Sequence, residues 1–187
     1  MSRLIRIAVL TAVIAVSTAC GGNPLTGSPV PAGNEMRTPD TSTRPRPREI
    51  RLDGKDPCAL VPRSDWEKFS IEEPGQSQQN KTFNSPECYY YNLDLAFGIT
   101  LVVTEGIEAW RTGKRTAEPT DAAPIQGFPT ISLMRPTDRT GCDTVVDVAK
   151  GQYLLATVIV LTDDGVPKRC DWAHQLAESA MKTLVGS

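Results

Sequence analysis

The stretch from Cys142 to Leu161 decides the fold. Residues 142–149 read CDTVVDVA, Lys150-Gly151 follows, and residues 153–161 read YLLATVIVL. Both segments are rich in β-branched and aromatic residues, and a Gly-containing turn lies between them. This pattern predicts a β-hairpin in the C-terminal half of the chain.

Helical signals lie on both sides of the predicted strands. Ser64 to Glu67 (SDWE) is a capping box that predicts a short helix ending near Ser70, with Trp66 and Phe69 on its buried face. Further along the chain, Asp171 is placed to cap a second helix. Its apolar residues recur at helical spacing: Trp172, Leu176, Ala180 and Leu184.

The remaining segments complete a mixed fold. Residues 88–91, 96–104 and 130–135 are apolar or aromatic and predict strands, whereas residues 106–112 predict one or two helical turns. The polar residues 72–81 and 113–123 predict loops. The fold class is therefore α+β: an antiparallel β-sheet of about five strands, with the N-terminal short helix and the C-terminal helix packed on one face.

The first 19 residues predict a lipoprotein signal peptide. Arg3 and Arg6 precede a ten-residue apolar stretch, residues 7–16, which is too short to span a bilayer because a span takes roughly 20 residues. Small residues and then Cys20 follow, and this layout resembles the lipobox of bacterial lipoproteins. The resemblance implies cleavage before Cys20 and a diacylglyceryl group on its thiol, although Ser17 stands where that pattern usually has Leu, Val or Ile. The alternative is an ordinary secretory signal peptide.

Residues 20–55 predict a lipidated N-terminus followed by a disordered tether. Residues 21–56 contain six Pro, five Gly and six Ser or Thr, so they hold too little apolar surface to offset the entropy of ordering. Residues 43–51 are locally basic. We interpret them as a solubilising spacer, with contact to anionic lipid headgroups or to an acidic envelope polymer as the alternative. The folded domain is then expected over residues 56–187.

The cysteines beyond Cys20 are Cys58, Cys88, Cys142 and Cys170. An even number of cysteines in an exported chain predicts disulfides, here two. Four cysteines allow three connectivities, and spacing alone does not choose among them. Pairing Cys58 with Cys88 and Cys142 with Cys170 closes two loops of similar size, about 30 residues each, and is the preferred arrangement.

Composition excludes two classes of function. The chain has 20 Lys plus Arg against 22 Asp plus Glu, a net charge of -2, so it lacks the cationic excess that a nucleic-acid-binding protein uses against phosphates. It has one histidine, His174, which excludes a site with several histidine ligands on one metal. No cofactor is expected.

The sequence contains no recognisable catalytic constellation. A GxSxG nucleophile motif is absent, and His174 is interpreted as a residue on the helix surface. A hydrolase using loop carboxylates is the enzymatic alternative, and it requires several acidic residues to converge in one cleft with shifted pKa values. The candidates for that cleft are Glu72, Glu73, Glu105, Glu108, Asp163 and Asp164.

Tyr89, Tyr90 and Tyr91 are consecutive within a predicted strand. Alternation along a strand places Tyr89 and Tyr91 on one face and Tyr90 on the other. Such a run more often serves core and rim packing than ligand binding. Tyr89 and Tyr91 are nonetheless the candidate binding surface, because tyrosine joins an apolar ring to a polar tip.

Several short motifs resemble those of one family. These are residues 56–61 (DPCALV) before a helix with Trp66, Cys88 followed by aromatic residues, residues 127–129 (GFP) before a strand, and Cys142 opening a hairpin. Together they resemble the actinobacterial lipoproteins that carry the domain of unknown function numbered 3558. The resemblance implies an envelope lipoprotein with paired cysteines and no known catalytic residues. A sandwich similar to the Mog1/PsbP-like fold is a further expectation.

The function expected from these features is that of a non-catalytic binding or interaction domain. Cys20 would anchor it by lipid to the outer face of the cytoplasmic membrane. Its partner would be an envelope protein, a lipid or a glycan, with no role for nucleic acid.

Overall fold

A single antiparallel sheet organises the domain. The computed structural model describes residues 45–134, 139–162 and 167–187. Within them the sheet has seven strands in the order β1-β2-β3-β7-β6-β5-β4. The strands are β1 (Gln76–Asn80), β2 (Ser85–Tyr91), β3 (Leu95–Val102), β4 (Glu118–Asp121), β5 (Thr130–Met134), β6 (Gly141–Ala149) and β7 (Gln152–Val160).

The predicted hairpin forms the middle of this sheet. β6 and β7 pair across the Lys150-Gly151 turn, and Gly151 takes the positive φ of 74° that such a turn requires. β7 then pairs with β3 along its whole length, from Leu95 opposite Val160 to Val102 opposite Tyr153. One meander, β1 to β3, is therefore joined to a second, β4 to β7, through the β3–β7 pair.

Two helices lie on opposite faces of the sheet. α2 (Arg169–Gly186) packs its buried side, which includes Leu176, Met181 and Leu184, on the face formed by β3, β6 and β7. α1 (Glu108–Arg111) is a single turn that places Trp110 against Tyr153 on the other face. The C-terminal helix was predicted correctly. It begins at Arg169, however, so Asp171 lies in its first turn and does not cap it.

The predicted N-terminal helix is instead a pair of 3-10 turns, Arg63–Asp65 and Glu67–Phe69. The hydroxyl of Ser64 donates to Asp65 Oδ1 at 3.3 Å, so the capping-box hydrogen bond expected from the sequence is not made. Ser70 then takes a left-handed φ of 52°, which ends the segment. Phe69 is still buried, and Trp66 packs against the same core.

The sheet has seven strands, so the expectation of about five was too low. The two extra strands, β1 and β4, lie in segments predicted to be loops. Both are edge strands, and every residue of the sequence QSQQN in β1 and EPTD in β4 is at least partly exposed. Edge strands that face solvent carry no apolar alternation, and this is why the pattern of apolar residues missed them.

The prediction of a disordered tether over residues 20–55 is wrong for residues 45–55. Ile50 and Leu52 are buried in the main core, and the Ile50 amide donates to the Val148 carbonyl at 2.8 Å. Arg46 donates to the buried carboxylate of Asp147 at 2.6 Å. Two arginines of the basic stretch therefore hold the chain on the domain, since Arg48 also donates to the Val185 carbonyl.

Both disulfides are present in the pairing that the sequence favoured. Cys58 is bonded to Cys88, and Cys142 is bonded to Cys170. The first joins a further 3-10 turn, Pro57–Ala59, to β2, and the second joins the start of β6 to the first turn of α2. Each bond therefore ties a helical segment to a strand of the sheet.

Several predicted features lie outside the described residues. They are the signal peptide, Cys20, the tether up to residue 44, and the acidic pair Asp163-Asp164. Among the residues that are described, no helix is both long enough and apolar enough to cross a membrane.

Candidate functional site

An open groove lies where β2 ends and turns into β3. Its volume is about 510 Å³, and we call it the tyrosine groove. One wall is the chain between the second 3-10 turn and β1, and the other is the β2–β3 turn. The lining residues are Ser70, Glu72, Glu73, Pro74, Gln76, Tyr89, Tyr90, Tyr91, Asn92, Leu93 and Asp94.

The three tyrosines separate as strand alternation predicts. Tyr90 is almost fully buried and stacks on Phe97 with ring centroids 5.4 Å apart. Burial raises the pKa of Tyr90 to about 12, with a further contribution from Asp56. Tyr89 and Tyr91 point to the other face, where their ring centroids are 6.4 Å apart. Tyr91 is 63% exposed, so its ring is available to a ligand.

The floor of the groove is fixed by the first disulfide. Cys88 is fully buried beside Tyr90, and the Tyr90 hydroxyl donates to the Cys58 carbonyl at 3.4 Å. Gly75 crosses directly over this pair, and a Cβ added there would collide with Cys88 Sγ and with the Tyr90 ring. Gly75 is therefore required for close approach of the backbone to the disulfide.

Asn92 connects the two walls. Its side-chain carbonyl accepts from the amides of Asp94 at 2.9 Å and Leu95 at 2.8 Å, which shapes the β2–β3 turn. Its amide nitrogen donates across the groove to the Ser70 carbonyl at 3.2 Å. The contact to residue 70 is a tertiary one that the sequence pattern does not contain.

Glu87 lies on the face of the sheet that carries Tyr89 and Tyr91, and it supports the groove from there. Its carboxylate is buried and accepts from Gln78 Nε2 at 2.7 Å, Asn80 Nδ2 at 2.9 Å and Thr100 Oγ1 at 2.8 Å. These hydrogen bonds connect β1, β2 and β3. Burial raises the pKa of Tyr89, and the charge of Glu87 raises it further. Sequence reasoning missed Glu87, and an acidic residue inside an aromatic strand was the only available signal.

The acidic residues named for a hydrolase are not all in this groove. Glu72 and Glu73 line it and are exposed to solvent. Glu105 and Glu108 follow β3, at the opposite end of the sheet from Tyr91. Of the candidates that the structure describes, the groove therefore contains only the sequence neighbours Glu72 and Glu73.

Glu105 is part of a buried ionic cluster. It receives Arg115 Nε at 2.7 Å, Lys114 Nζ at 2.9 Å and the Tyr153 hydroxyl at 3.0 Å. Burial alone would raise the pKa of Glu105, but the hydrogen bonds from Arg115, Lys114 and Tyr153 outweigh it and hold the pKa below the ordinary value of 4.5. The Arg115 guanidinium also lies 4.7 Å from the centroid of the Phe83 ring. This geometry is that of a structural ion pair.

Replacing Glu105 by Gln is expected to lower the free energy of unfolding by about 1.5–3 kcal/mol at pH 7, because hydrogen bonds to a buried charge are lost. A lowered pKa stabilises the fold fully above the ordinary value of 4.5, and this stabilisation is lost as the pH falls through the folded-state pKa. The difference between the two proteins should therefore shrink as the pH falls below 4.5. Urea unfolding at pH 7 and pH 3.5 measures it, and a pH-independent difference would contradict this assignment.

His174 lies on α2. His174 Nε2 lies 3.7 Å from Glu178 on the same helix, away from the groove. In the part of the chain that the structure describes, no three His, Cys, Asp or Glu side chains are grouped so as to hold a metal ion.

Comparison with known proteins gives one match. The model of the family described as Protein of unknown function (DUF3558) matches residues 15–183. No curated protein matches the chain. No solved structure matches it either.

Proposed function

We propose that this chain, which belongs to the DUF3558 family of proteins of unknown function, binds a partner in the tyrosine groove without catalysis. A lipid on Cys20 would hold the domain to the cell membrane. The observation that carries this proposal is the exposed ring of Tyr91 in a groove whose floor and walls are fixed. The domain would work on the outer face of the cytoplasmic membrane.

The size and lining of the groove suit a binding site. Its volume of about 510 Å³ falls within the roughly 300–1,000 Å³ typical of ligand sites. Leu93, which lines the groove, is 94% exposed at the tip of the β2–β3 turn, and the nearby Leu161, whose amide donates to the Asp94 carbonyl, is also exposed. Exposed apolar side chains beside a rigid groove are a common feature of interaction surfaces.

The position of the chain's entry into the domain also supports this role. Residues 46–52 contact Asp147, Val148 and Gln152, at the β6–β7 hairpin end of the sheet. Tyr91 and Leu93 lie at the other end, which is about 30 Å away for strands of nine residues such as β7. Residues 46–52 therefore occupy the hairpin end and do not cover the groove.

A hydrolase is less well supported. The groove contains Glu72 and Glu73, which are adjacent and exposed, whereas a catalytic pair needs two carboxylates on opposite sides of a bond. Glu105 already serves two cations. The non-catalytic role therefore accounts for more of the observed contacts.

The lipid anchor is tested by replacing Cys20 with Ser. Two acyl chains hold a protein firmly to a membrane, so the native chain should sediment with membranes and the variant should move to the soluble or secreted fraction. Mass spectrometry of the native protein should detect a diacylglyceryl adduct on the peptide that begins at residue 20. A variant that stays in the membrane fraction would place the anchor elsewhere.

The binding role is tested by photo-crosslinking in intact cells. A photoreactive phenylalanine analogue at position 91 should yield one discrete adduct, because its ring replaces that of Tyr91 in the groove. The matched control is the same analogue at Thr112, which is exposed and follows α1 near the hairpin end of the sheet.

The specificity of that adduct is tested with a second substitution. Adding Tyr89→Ala to the position-91 protein should reduce the adduct at least fivefold, since the neighbouring ring would be lost. Equal adducts from positions 91 and 112, or none from position 91, would count against the proposed role.

A further inference from the structure

We propose that the tyrosine groove selects a positively charged peptide segment of a partner protein, with an Arg or Lys side chain over the exposed ring of Tyr91. This inference rests on the proposed binding role and specifies the chemistry of its ligand. Three observations support it: the negative charge of the groove, the absence of a described Lys or Arg above the rings of Tyr89 and Tyr91, and the free edge of β1 beside the groove.

The groove has an uncompensated negative charge. Glu72, Glu73 and Asp94 line it, and no Lys, Arg or His is among its lining residues. Within the described part of the chain, none of the three carboxylates forms a salt bridge, although ion pairs occupy acidic residues elsewhere, such as Glu105 and Asp147. A cationic ligand would supply the missing partner, whereas an anionic lipid headgroup would be repelled.

The rings of the groove also lack a cation that other rings of the domain possess. Arg63 lies 5.1 Å from the ring centroid of Trp66, and Lys68 lies 5.3 Å from that of Phe69. Over the described residues, no Lys or Arg lies above Tyr89 or Tyr91. An exposed tyrosine ring within reach of carboxylates is a favourable place for a guanidinium or ammonium group.

The neighbouring strand favours a peptide as the carrier of that cation. β1 begins at Gln76, which lines the groove, and β1 is an edge strand of the sheet. Its outer edge pairs with no other strand in the described residues, and its side chains are polar and exposed. An extended peptide that pairs with this edge would reach the groove at Gln76, so backbone hydrogen bonds and side-chain charge would act together.

The experiment uses the purified full chain in neutral detergent and two fluorescein-labelled nonapeptides of Gly and Ser, one with three Arg and one with three Glu. The Arg peptide should bind at least tenfold more tightly than the Glu peptide. Raising the salt concentration should weaken binding of the Arg peptide, because salt screens the attraction between opposite charges. Tyr91→Ala should weaken Arg-peptide binding about fivefold, because the cation–π contact is lost.

Two double variants separate the groove from the net charge of the protein. Glu72→Gln with Glu73→Gln should weaken Arg-peptide binding about fivefold, as expected for two exposed charge pairs. Glu67→Gln with Glu118→Gln makes the same change in net charge at exposed positions outside the groove, and it should alter binding less than twofold. Equal weakening by both pairs would overturn the inference.

Two further probes test the other ligand classes. A neutral chitin oligosaccharide, or vesicles containing phosphatidylglycerol, should bind more weakly than the Arg peptide. Tighter, Tyr91-dependent binding of either would overturn the cationic-peptide inference but leave the binding role intact. No binding of the Arg peptide would also overturn it, whereas the binding role itself is judged by the crosslink from position 91, which does not depend on the chemistry of a chosen probe.

Discussion

Replacing Cys58 and Cys88 together by Ala is expected to lower the free energy of unfolding by about 3–4 kcal/mol. The bond spans 30 residues, and in the chain-entropy model a loop of this size stabilises the fold by roughly that amount by restricting the unfolded chain. The buried position of Cys88 adds to the cost, because the lost sulfur atoms leave unfilled space under Gly75 and beside Tyr90. Urea unfolding followed by tryptophan fluorescence measures the difference.

The second disulfide is the matched control for this experiment. Cys142 and Cys170 are 28 residues apart, so their removal restores nearly the same freedom to the unfolded chain. β3 and β7 separate β6 from β2, so this bond does not support the groove. Both double variants should lose similar stability, but only the Cys58/Cys88 variant should weaken ligand binding at Tyr91. A loss of less than about 1 kcal/mol from the first pair would contradict the structural role assigned to it.

Replacing Leu52 by Ala is expected to cost about 2–5 kcal/mol of unfolding free energy. Leu52 has no exposed surface and lies in the core that includes Ile50 and residues of α2. Its amide also donates to Gln152 Oε1 at 2.8 Å, which fixes the segment against β7. Residues 45–55 therefore belong to the folded domain.

Leu93→Ala is the control for this substitution, because it makes the same change in a side chain that is 94% exposed. It should alter the unfolding free energy by less than about 0.5 kcal/mol. Similar losses from Leu52→Ala and Leu93→Ala would mean that residues 45–55 do not pack on the domain. The tether would then extend to residue 55.

The sequence was informative where local patterns coincide with burial. The β6–β7 hairpin, α2 and the alternation of Tyr89, Tyr90 and Tyr91 were all predicted, because apolar periodicity reports directly which face of an element is buried. The cysteine pairing was favoured by loop size, and the structure contains it.

The features that the sequence did not predict depend on tertiary contacts. β1 and β4 lie at the edges of the sheet, where each pairs with one strand and its side chains face solvent. Nothing in their composition therefore distinguishes them from loops. Residues 45–55 are rich in Pro and charge, yet their few apolar residues and Arg46 meet partners about 100 positions later in the chain. Composition averages over such contacts and cannot locate them.

The candidate site was only partly predictable for the same reason. Tyr89 and Tyr91 were named from the strand pattern, and Glu72 and Glu73 were named for a different chemistry. Their meeting in one groove depends on Gly75, which lets the chain cross the disulfide, and on Asn92, which joins the walls. Neither contact has a sequence signature.

The most direct test of the central claim is photo-crosslinking in intact cells from position 91. Binding in the tyrosine groove should give one discrete adduct from that position, reduced at least fivefold by Tyr89→Ala and absent from position 112. No adduct from position 91, or an equal yield from position 112, would contradict the claim that the tyrosine groove is where this domain binds its partner.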